Sequence, residues 1–402
     1  MKSETCLLCR NSQIAALLDF GPQPICNRFP ASPDAPEDLF PMRLGLCPTC
    51  GTVQSLSPVS AGELRPRCDW ITYNEPEGHL DHLADHLARL PGLSKDSIIG
   101  GISFKDDSLL RRLRERGFTR TWRVDPEGDL GISDSGAGVE TIQDRLDCNA
   151  AARMAGVHGK CDLVLARHIW EHTTAPAEFL TALLELLNPA GYLLLEIPDC
   201  ERSLANGDYS MVWEEHTLYF TPATFRQGIL LSGLAIHHFD TFPYAFENSL
   251  VVVATRGNQS DPEKMLDPEL AKEKQRAVSY AEGWASQREK IGRYFERYRK
   301  EQGKIAILGA GHLACTFINL LGLKEHIDCL VDDNPHKRGL FMPGSRLPIY
   351  GSEALIERDI RMCLLSVNAE SEEKVIQKNR AFTEAGGIFH SIFPASQYAL
   401  RV

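Results

Sequence analysis

The chain has 402 residues, of which 43% are apolar and 24% charged, and it carries a net charge of −11 at pH 7. This composition is that of a folded protein. The sequence contains no run of about 18 apolar residues, so it does not predict a membrane span. The acidic balance argues against a nucleic-acid partner, and the length predicts two or three domains of about 100–200 residues each.

Residues 1–70 predict a small zinc-binding module. The N-terminus lacks the apolar stretch of a signal peptide, so we expect a cytoplasmic protein whose twelve cysteines are thiols or metal ligands. Cys6, Cys9, Cys47 and Cys50 form two C-x₂-C pairs, and each pair suits two corners of a tetrahedral site. Four thiolates leave no open position, so we expect structural Zn²⁺. Two unrelated buried thiol pairs are the alternative.

Residues 71–256 predict the first α/β domain. Apolar runs such as SIIGGISF, CDLVLARHI and GYLLLEIPD alternate with helix-length segments. Strands separated by helices predict βαβ units and a mostly parallel sheet. Near the start, His79, His82 and His86 repeat at helical spacing, but no carboxylate or cysteine pattern completes a metal site, so we expect a solvated helix face.

The remainder predicts a helical linker and a second α/β domain. Residues 257–303 are highly charged and predict a long surface helix between domains. Residues 304–402 begin KIAILGAGHLACTFINLL, a strand, a glycine turn and a helix whose first N–H groups suit a phosphate. The predicted fold class is therefore α/β, with a small four-cysteine zinc module followed by two Rossmann-like doubly wound domains.

The segment CDLVLARHIWEHTTAPAEFLTALLELLNPAGYLLLEIPD resembles the fourth and fifth strands of class I S-adenosylmethionine (SAM) methyltransferases. It has a strand with a polar end, a helix with Pro176 near its start and a second apolar strand. In such a sheet, His168 and His172 lie at the carboxyl edge, where ligands bind. We assign His168 to the cofactor and His172 to the substrate. Helix capping or pairing with acids is the alternative for both histidines.

The resemblance also places a SAM loop after the first strand of this domain. The family pattern is Glu-x-Gly-Ser-Asn-Asp-Gly, and here Ser103 and Asp107 stand where glycines usually occur. A side chain at such a position disfavours a positive φ and close approach of a ligand. The second strand ends in an acid that suits the ribose hydroxyls. The residues that the resemblance implies at the cofactor are Gly101, Ser103, Asp106 and Asp125.

The segment VWEEHTLYF resembles the Tyr-His-Glu-His-x-x-Tyr-Phe signature of sugar C-methyltransferases that act beside the ketone of dTDP-4-keto-deoxy sugars. Removing a proton from carbon beside a ketone requires a base of near-neutral pKa and hydrogen-bond donors to the enolate oxygen. His216 is the natural base, and Glu215 either orients its ring or binds a sugar hydroxyl. Tyr219 also matches the signature, and Trp213 replaces its first tyrosine at the substrate.

Two further segments extend the resemblance. Tyr73 matches an active-site tyrosine of the family and would donate to the enolate oxygen, although a half-buried structural aromatic is the alternative. The segment VDDNPHKRG resembles the C-terminal domain of the same family. That domain helps to hold the nucleotide-linked sugar, which implies substrate contacts by Gly311 and Asn334. A purely structural role of the domain is the alternative.

The resemblance spans the chain from the zinc module to Phe393. It implies a SAM-dependent C-methyltransferase acting next to the keto group of a nucleotide-diphosphate-linked keto-deoxy sugar, with zinc and SAM as cofactors and a monomer or homodimer as the assembly. The alternative is a lyase, isomerase or cyclase on the same scaffold without methyl transfer, which the altered loop Ser103–Asp107 favours. A zinc-containing binding protein without chemistry is disfavoured by the segment Trp213–Phe220 and by the acidic charge.

Overall fold

The computed structural model describes residues 5–68, 70–71, 75–133, 136–257 and 269–402. Within these ranges, none of the helices has both the length and the apolar surface needed to cross a bilayer. The strands are β1 (Ala15–Pro24), β2 (Leu39–Leu46), β3 (Val53–Ser55), β4 (Ile98–Gly101), β5 (Arg120–Arg123), β6 (Cys161–Arg167), β7 (Leu187–Pro198), β8 (Leu218–Tyr219), β9 (Leu234–Phe242), β10 (Ser249–Arg256), β11 (Lys304–Leu308), β12 (Cys329–Val331), β13 (Ile349–Tyr350), β14 (Ile360–Leu365) and β15 (Ile388–Ser391). The helices are α1 (Ala61–Leu64), α2 (Leu80–Leu87), α3 (Asp107–Glu115), α4 (Pro126–Leu130), α5 (Val139–Arg145), α6 (Cys148–His158), α7 (Pro176–Leu186), α8 (Glu201–Asn206), α9 (Pro222–Leu231), α10 (Leu270–Glu301), α11 (His312–Leu320), α12 (Ala354–Glu357), α13 (Ala369–Lys378) and α14 (Arg380–Glu384).

The first sheet belongs to the N-terminal module but takes its last strand from the middle of the chain. Its order is β1-β2-β3-β8, and every pairing is antiparallel. Val53 of β3 pairs with Tyr219 of β8. Because β8 begins just after His216, this pairing fixes the predicted acid–base segment against the cysteine-bearing module.

The second sheet is the centre of the first α/β domain, in the order β5-β4-β6-β7-β10-β9. The first four strands are parallel, and β10 is antiparallel to both of its neighbours. Its central strands are almost entirely apolar because residues of α2 and α3 cover one face and residues of α6 and α7 the other. The connections change direction between β4 and β6, so a crevice opens at their carboxyl ends, next to Gly101 and Arg167.

The third sheet is wholly parallel, in the order β13-β12-β11-β14-β15. The strand that comes first in the chain, β11, lies at its centre, so the corresponding crevice lies at Gly309. Gly309 has a φ of 102°, and a Cβ atom there would lie 2.5 Å from the carbonyl oxygen of Ser366. Only glycine fits this turn. The predicted class, a small module followed by two doubly wound α/β domains, is confirmed.

One apolar cluster joins the module, α10 and the third sheet. Phe20 of β1 meets Trp284 of α10 edge to face, with 5.5 Å between the ring centroids. Tyr280 and Phe295 of α10 are buried in the same cluster, which continues to Ile307 of β11. The helix therefore packs on its neighbours along one side, and residues 258–268 of the predicted linker lie outside the described ranges.

Candidate active site and zinc centre

The four predicted cysteines converge on one point. The sulfur of Cys6 lies 3.5 Å from that of Cys50, and the sulfur of Cys9 lies 3.5 Å from that of Cys47. Within each C-x₂-C turn, the backbone N–H of the second cysteine donates to the sulfur of the first. Cys9 donates to Cys6 and Cys50 donates to Cys47, both at 3.5 Å. Such a cage fits tetrahedral Zn²⁺ with Zn–S bonds of about 2.3 Å, and it leaves no coordination position for a substrate. A metal held by these four cysteines would therefore be structural.

The acid–base loop between Trp213 and β8 is held by backbone contacts on both sides. The hydroxyl of Tyr219 donates to the carbonyl oxygen of Trp213 at 3.1 Å and lies 3.2 Å from its N–H. The N–H of Thr217 donates to the carbonyl oxygen of Glu171 at 2.8 Å. Tyr219 is 2% exposed and lines the same small cavity as His216, and its hydroxyl holds the loop. Its catalytic role stays a prediction.

His216 is partly exposed and lines a small cavity. The opposite wall is formed by strand β1, by strand β2 with Met42 and Arg43, and by the segment after β3. The rings of His172 and Trp213 lie 4.7 Å and 5.1 Å from the ring of His216, centroid to centroid. Burial and the neighbouring His172 hold the pKa of His216 well below its ordinary value, so its imidazole is neutral and can accept a proton, but it is a weaker base than the near-neutral group that the sequence predicts.

Glu215 lies beside His216 in sequence, but its carboxylate points elsewhere. Its Oε1 accepts from Nδ2 of Asn27 at 3.3 Å, and the group is 5% exposed. Burial and the carboxylate of Glu140 raise the pKa of Glu215 well above its ordinary value. None of the hydrogen bonds that the structure describes for Glu215 reaches His216, so the predicted orienting role is not seen in this geometry.

His172 connects this acid pair to the cavity. Its Nδ1 lies 2.9 Å from Oε1 of Glu140, and its Nε2 lies 3.9 Å from Oε1 of Glu171. Burial opposes protonation, but the two carboxylates outweigh it and raise the pKa of His172. His172 thus faces His216 with one edge and a buried carboxylate with the other. Glu140 carried no signal in the sequence, because it stands in a helix that no motif marks.

The loop after β4 is closed by its own acid. Oδ2 of Asp106 accepts from the N–H groups of Ile102 and Ser103 at 2.8 Å and 2.9 Å, and Oδ1 accepts from the N–H of Arg167 at 3.0 Å. Asp106 is fully buried, and burial raises its pKa to about 7. Its carboxylate serves the backbone of the crevice, which differs from the predicted direct contact with a cofactor.

Neither Ser103 nor Asp107 needs the freedom of glycine. Their φ angles are −132° and −56°. Gly101 ends β4, and a Cβ atom there would lie 2.8 Å from Cδ1 of Leu110, so its small size makes room for helix α3. The two residues that replace the family's glycines are thus accommodated without backbone strain.

Asp125 and His168 lie at the carboxyl edge of the same sheet. Asp125 is exposed and follows β5 after one intervening residue, Val124. Its carboxylate caps α4 by accepting from the N–H of Gly128 at 3.2 Å. Its place at the end of the second strand is the one that the sequence resemblance implies for the ribose-binding acid. His168 has a left-handed φ of 47°, and its Nε2 lies 3.2 Å from Oε1 of Glu196. Burial opposes its charge, but Glu75, Glu171 and Glu196 outweigh it and raise the pKa of His168 to about 10.

Glu196 on β7 anchors this edge and was missed by sequence reasoning. Its carboxylate is fully buried and accepts from Nε of Arg167 at 2.5 Å and from Oγ of Ser249 at 2.6 Å. Nε2 of His79 lies 3.1 Å from the same carboxylate. The prediction of a solvated face was therefore wrong for His79, which is 6% exposed. The single acid within the apolar run LLLEIP was the available signal.

The ion pair between Lys105 and Glu75 spans the crevice at 2.6 Å. Burial opposes ionisation of Glu75, but His168 and Lys105 outweigh it and hold its pKa at about 2. Sequence reasoning missed both residues. The predicted neighbour Tyr73 lies outside the described residues, so its position is not part of this geometry.

The third sheet presents α11 to the acid–base loop. Its first residue, His312, stacks on Trp213 with 4.3 Å between ring centroids and an interplanar angle of 19°. Gly311 caps the helix, and a Cβ atom there would meet no other atom within 4 Å. Oδ1 of Asn334 accepts from the N–H of His336 at 3.0 Å, which forms a turn beside the crevice. The predicted substrate residues Trp213 and Gly311 therefore lie together, whereas Asn334 stabilises its own turn.

Comparisons with known proteins match each part of the chain. Residues 6–64 match the family model of a zinc binding domain, 100–238 that of a methyltransferase domain, and 248–394 that of the C-methyltransferase C-terminal domain. The C-methyltransferase NovU of Streptomyces niveus is 23% identical over 399 residues, which cover 96% of this chain and 94% of that protein.

Two solved structures show low overall similarity. Magnesium protoporphyrin IX methyltransferase of Synechocystis PCC 6803, with bound S-adenosylhomocysteine, is 15% identical, with a TM-score of 0.32, and the match covers 45% of this chain and 83% of that one. The 1,6-didemethyltoxoflavin-N1-methyltransferase of Burkholderia thailandensis is 13% identical, also with a TM-score of 0.32, over 45% of this chain and 80% of that one.

The three domain matches follow one another in the order that the structure displays, and together they assign C-methyl transfer as the activity, SAM as the methyl donor and zinc as the metal of the module. The chain therefore carries, in this order, segments that match a zinc binding domain, a methyltransferase domain and the C-methyltransferase C-terminal domain, and it is similar to a C-methyltransferase over nearly its whole length.

Proposed function

We propose that the enzyme methylates the carbon next to the keto group of a nucleotide-diphosphate-linked keto-deoxy sugar, with His216 as the base. The observation that carries this proposal is the position of His216. Its ring is partly exposed at a cavity that the module, the acid–base loop and Trp213 enclose. A general base must reach the proton that it removes, and His216 is partly exposed whereas Glu214 and Glu215 beside it are buried.

The chemistry divides between the two sides of the cavity. His216 takes the proton from the carbon beside the ketone, and the electron pair of the broken C–H bond forms the enolate. Tyr73 is our proposed donor to the enolate oxygen. SAM, when bound, would supply the electrophilic methyl group that the enolate carbon takes up. Gly101, Ser103, Asp125 and His168 remain our proposed cofactor residues.

The stacking of His312 on Trp213 supports a nucleotide-linked substrate. It brings the N-terminus of α11, with Gly311 as its cap, to the edge of the acid–base loop. Helix N-termini present unpaired N–H groups that suit a phosphate. A sugar at His216 could therefore extend its diphosphate toward Gly311. His172 and Trp213 are our proposed contacts to the sugar itself, and we propose a cytoplasmic enzyme without nucleic-acid partners.

The test is a turnover assay with dTDP-4-keto-6-deoxyglucose, with and without SAM. The expected product is about 14 mass units heavier, carries the methyl group on the carbon beside the ketone and is absent without SAM. The His216→Ala variant should form none, whereas the exposed α2 variant His82→Gln should match the wild type. A changed product without SAM would instead support the lyase, isomerase or cyclase alternative, and no product in either case would reject this substrate class.

A further inference from the structure

A second group of potential metal ligands lies behind the base. It consists of Glu140 from α5, His172 from the turn after β6 and Glu215 from the acid–base loop. One ligand atom from each residue lies within 4.8 Å of the other two. The residues are 5%, 7% and 5% exposed, so bulk water does not solvate them. Nothing in the comparisons assigns a role to this group.

The polar atoms of the group are poorly satisfied by one another. Nδ1 of His172 is only 2.9 Å from Oε1 of Glu140, yet among the described residues it has no partner in hydrogen-bond geometry. Asn27 donates to Glu215 at 3.3 Å, but its own Oδ1 is buried without a partner among those residues. Buried polar atoms are normally hydrogen-bonded, so these two atoms mark places where a bound ligand would complete the bonding.

We propose that Glu140, His172 and Glu215 bind a divalent cation through two carboxylate oxygens and Nδ1. Such a cation satisfies the imidazole nitrogen and neutralises both carboxylates at once. An imidazole with carboxylate oxygens suits first-row divalent metals, including Mn²⁺ and Zn²⁺. The oxygen-rich set also separates this site from the cysteine cage, whose thiolates select Zn²⁺ and exclude Mn²⁺.

A neighbouring combination, Glu171, His172 and His216, is a weaker match. Nε2 of His172 is 3.9 Å from Oε1 of Glu171, whereas Nδ1 is 2.9 Å from Oε1 of Glu140. It would also occupy His216, the one partly exposed member of these sets. The proposed site leaves His216 free, and the cation lies one imidazole ring behind it. Binding of the cation does not depend on the proposed function.

The probe is Mn²⁺, titrated into the full-length chain without an affinity tag, prepared with one equivalent of Zn²⁺ per chain so that only the cysteine cage is filled, and followed by electron paramagnetic resonance. The wild type should remove one equivalent of free Mn²⁺ signal per chain. Glu140→Gln and Glu215→Gln should each weaken binding by about 100-fold or more, because each removes a charged ligand. Glu171→Gln is the matched control and should bind as the wild type does. Thermal unfolding of each variant establishes that it is folded.

Failure has three distinct forms. A wild type that binds no Mn²⁺ would overturn the proposal and leave a proton shared between Glu140 and Glu215. Retained binding in both folded Gln variants would overturn it as well. Loss of binding in Glu171→Gln would move the metal to the alternative set. None of these results depends on turnover, so a failed sugar assay with intact Mn²⁺ binding would reject the substrate and not the metal site.

Discussion

The imidazole rings of His216 and His172 meet edge to face, with 4.7 Å between their centroids and an angle of 85° between their planes. His172 in turn contacts Glu140 at 2.9 Å, so the ring exposed at the cavity is backed by a buried ring and a buried acid. The position of the base therefore depends on contacts that reach well beyond the cavity surface.

Tyr219→Phe should weaken the protein slightly and the activity strongly. Removing the buried hydroxyl breaks its bond to the carbonyl oxygen of Trp213 and should cost about 1 kcal/mol in the free energy of unfolding. The acid–base loop then loses a support, so kcat should fall more than the stability change explains. Tyr192→Phe is the control, because its hydroxyl bonds Pro91 at 3.0 Å away from the loop. Equal kcat of the two variants, once urea unfolding has shown that both are folded under the assay conditions, would argue against a positioning role for Tyr219.

His168 should make the stability depend on alkaline pH. Its pKa is about 10 in the folded chain and about 6.5 in an unfolded one. A raised pKa contributes stability that is complete below pH 6.5 and is lost as the pH rises through 10. The advantage of the wild type over His168→Asn should therefore shrink between pH 7 and 10, measured by urea unfolding. Asn is suitable because it tolerates the left-handed backbone at this position. A constant difference over that range would contradict the prediction.

Zinc removal should lower the activity strongly, although no cysteine of the cage lines the cavity. The metal holds the module whose β3 pairs with β8, directly after the base. Cys9→Ser should therefore lower zinc content to near zero and activity by about 10-fold or more. Cys68→Ser replaces a half-buried cysteine outside the cage and should change neither. Full activity in a zinc-free Cys9→Ser protein would contradict the prediction that zinc, by holding the module, positions the acid–base loop.

Two glycines of the same turn should respond differently to alanine. Gly309→Ala places a Cβ atom 2.5 Å from the carbonyl oxygen of Ser366 at a φ of 102°, so it should destabilise the chain by about 2 kcal/mol or more. Gly311→Ala meets open space and should leave the free energy of unfolding unchanged. If the diphosphate lies against Gly311, that variant should raise KM for the nucleotide sugar. Equal stabilities of the two variants would refute the geometry of this turn.

The sequence was most informative where one short motif contains the whole signal. Three features are of this kind: the C-x₂-C pairs, the apolar runs of β6 and β7, and the acid–base segment. Each pair, run or segment is contained in a short stretch of consecutive residues, so a local pattern was enough to identify it. Glu140, Glu196 and His79 could not be identified in this way, because each acquires its partner only through the folding of distant segments. Glu196 lies in an apolar strand and Glu140 in an unremarkable helix, and only the crevice of the second sheet makes them neighbours of His168 and His172.

Asp106 and Tyr219 illustrate a different limit. Both match the family pattern, and pattern alone favoured direct roles at the cofactor and in catalysis. The structure uses the carboxylate of Asp106 to bind three backbone N–H groups and the hydroxyl of Tyr219 to hold a loop. Sequence identifies which residues a site needs, but it does not separate those that touch a ligand from those that support them.

The most direct test of His216 as the base is hydrogen exchange in D₂O with dTDP-4-keto-6-deoxyglucose and no SAM. The wild type should exchange the proton on the carbon beside the ketone, detected by loss of its NMR signal. A folded His216→Ala protein should exchange it about 10²–10⁴-fold more slowly, since that is the usual contribution of a positioned base. Exchange at the wild-type rate in that variant would contradict the account.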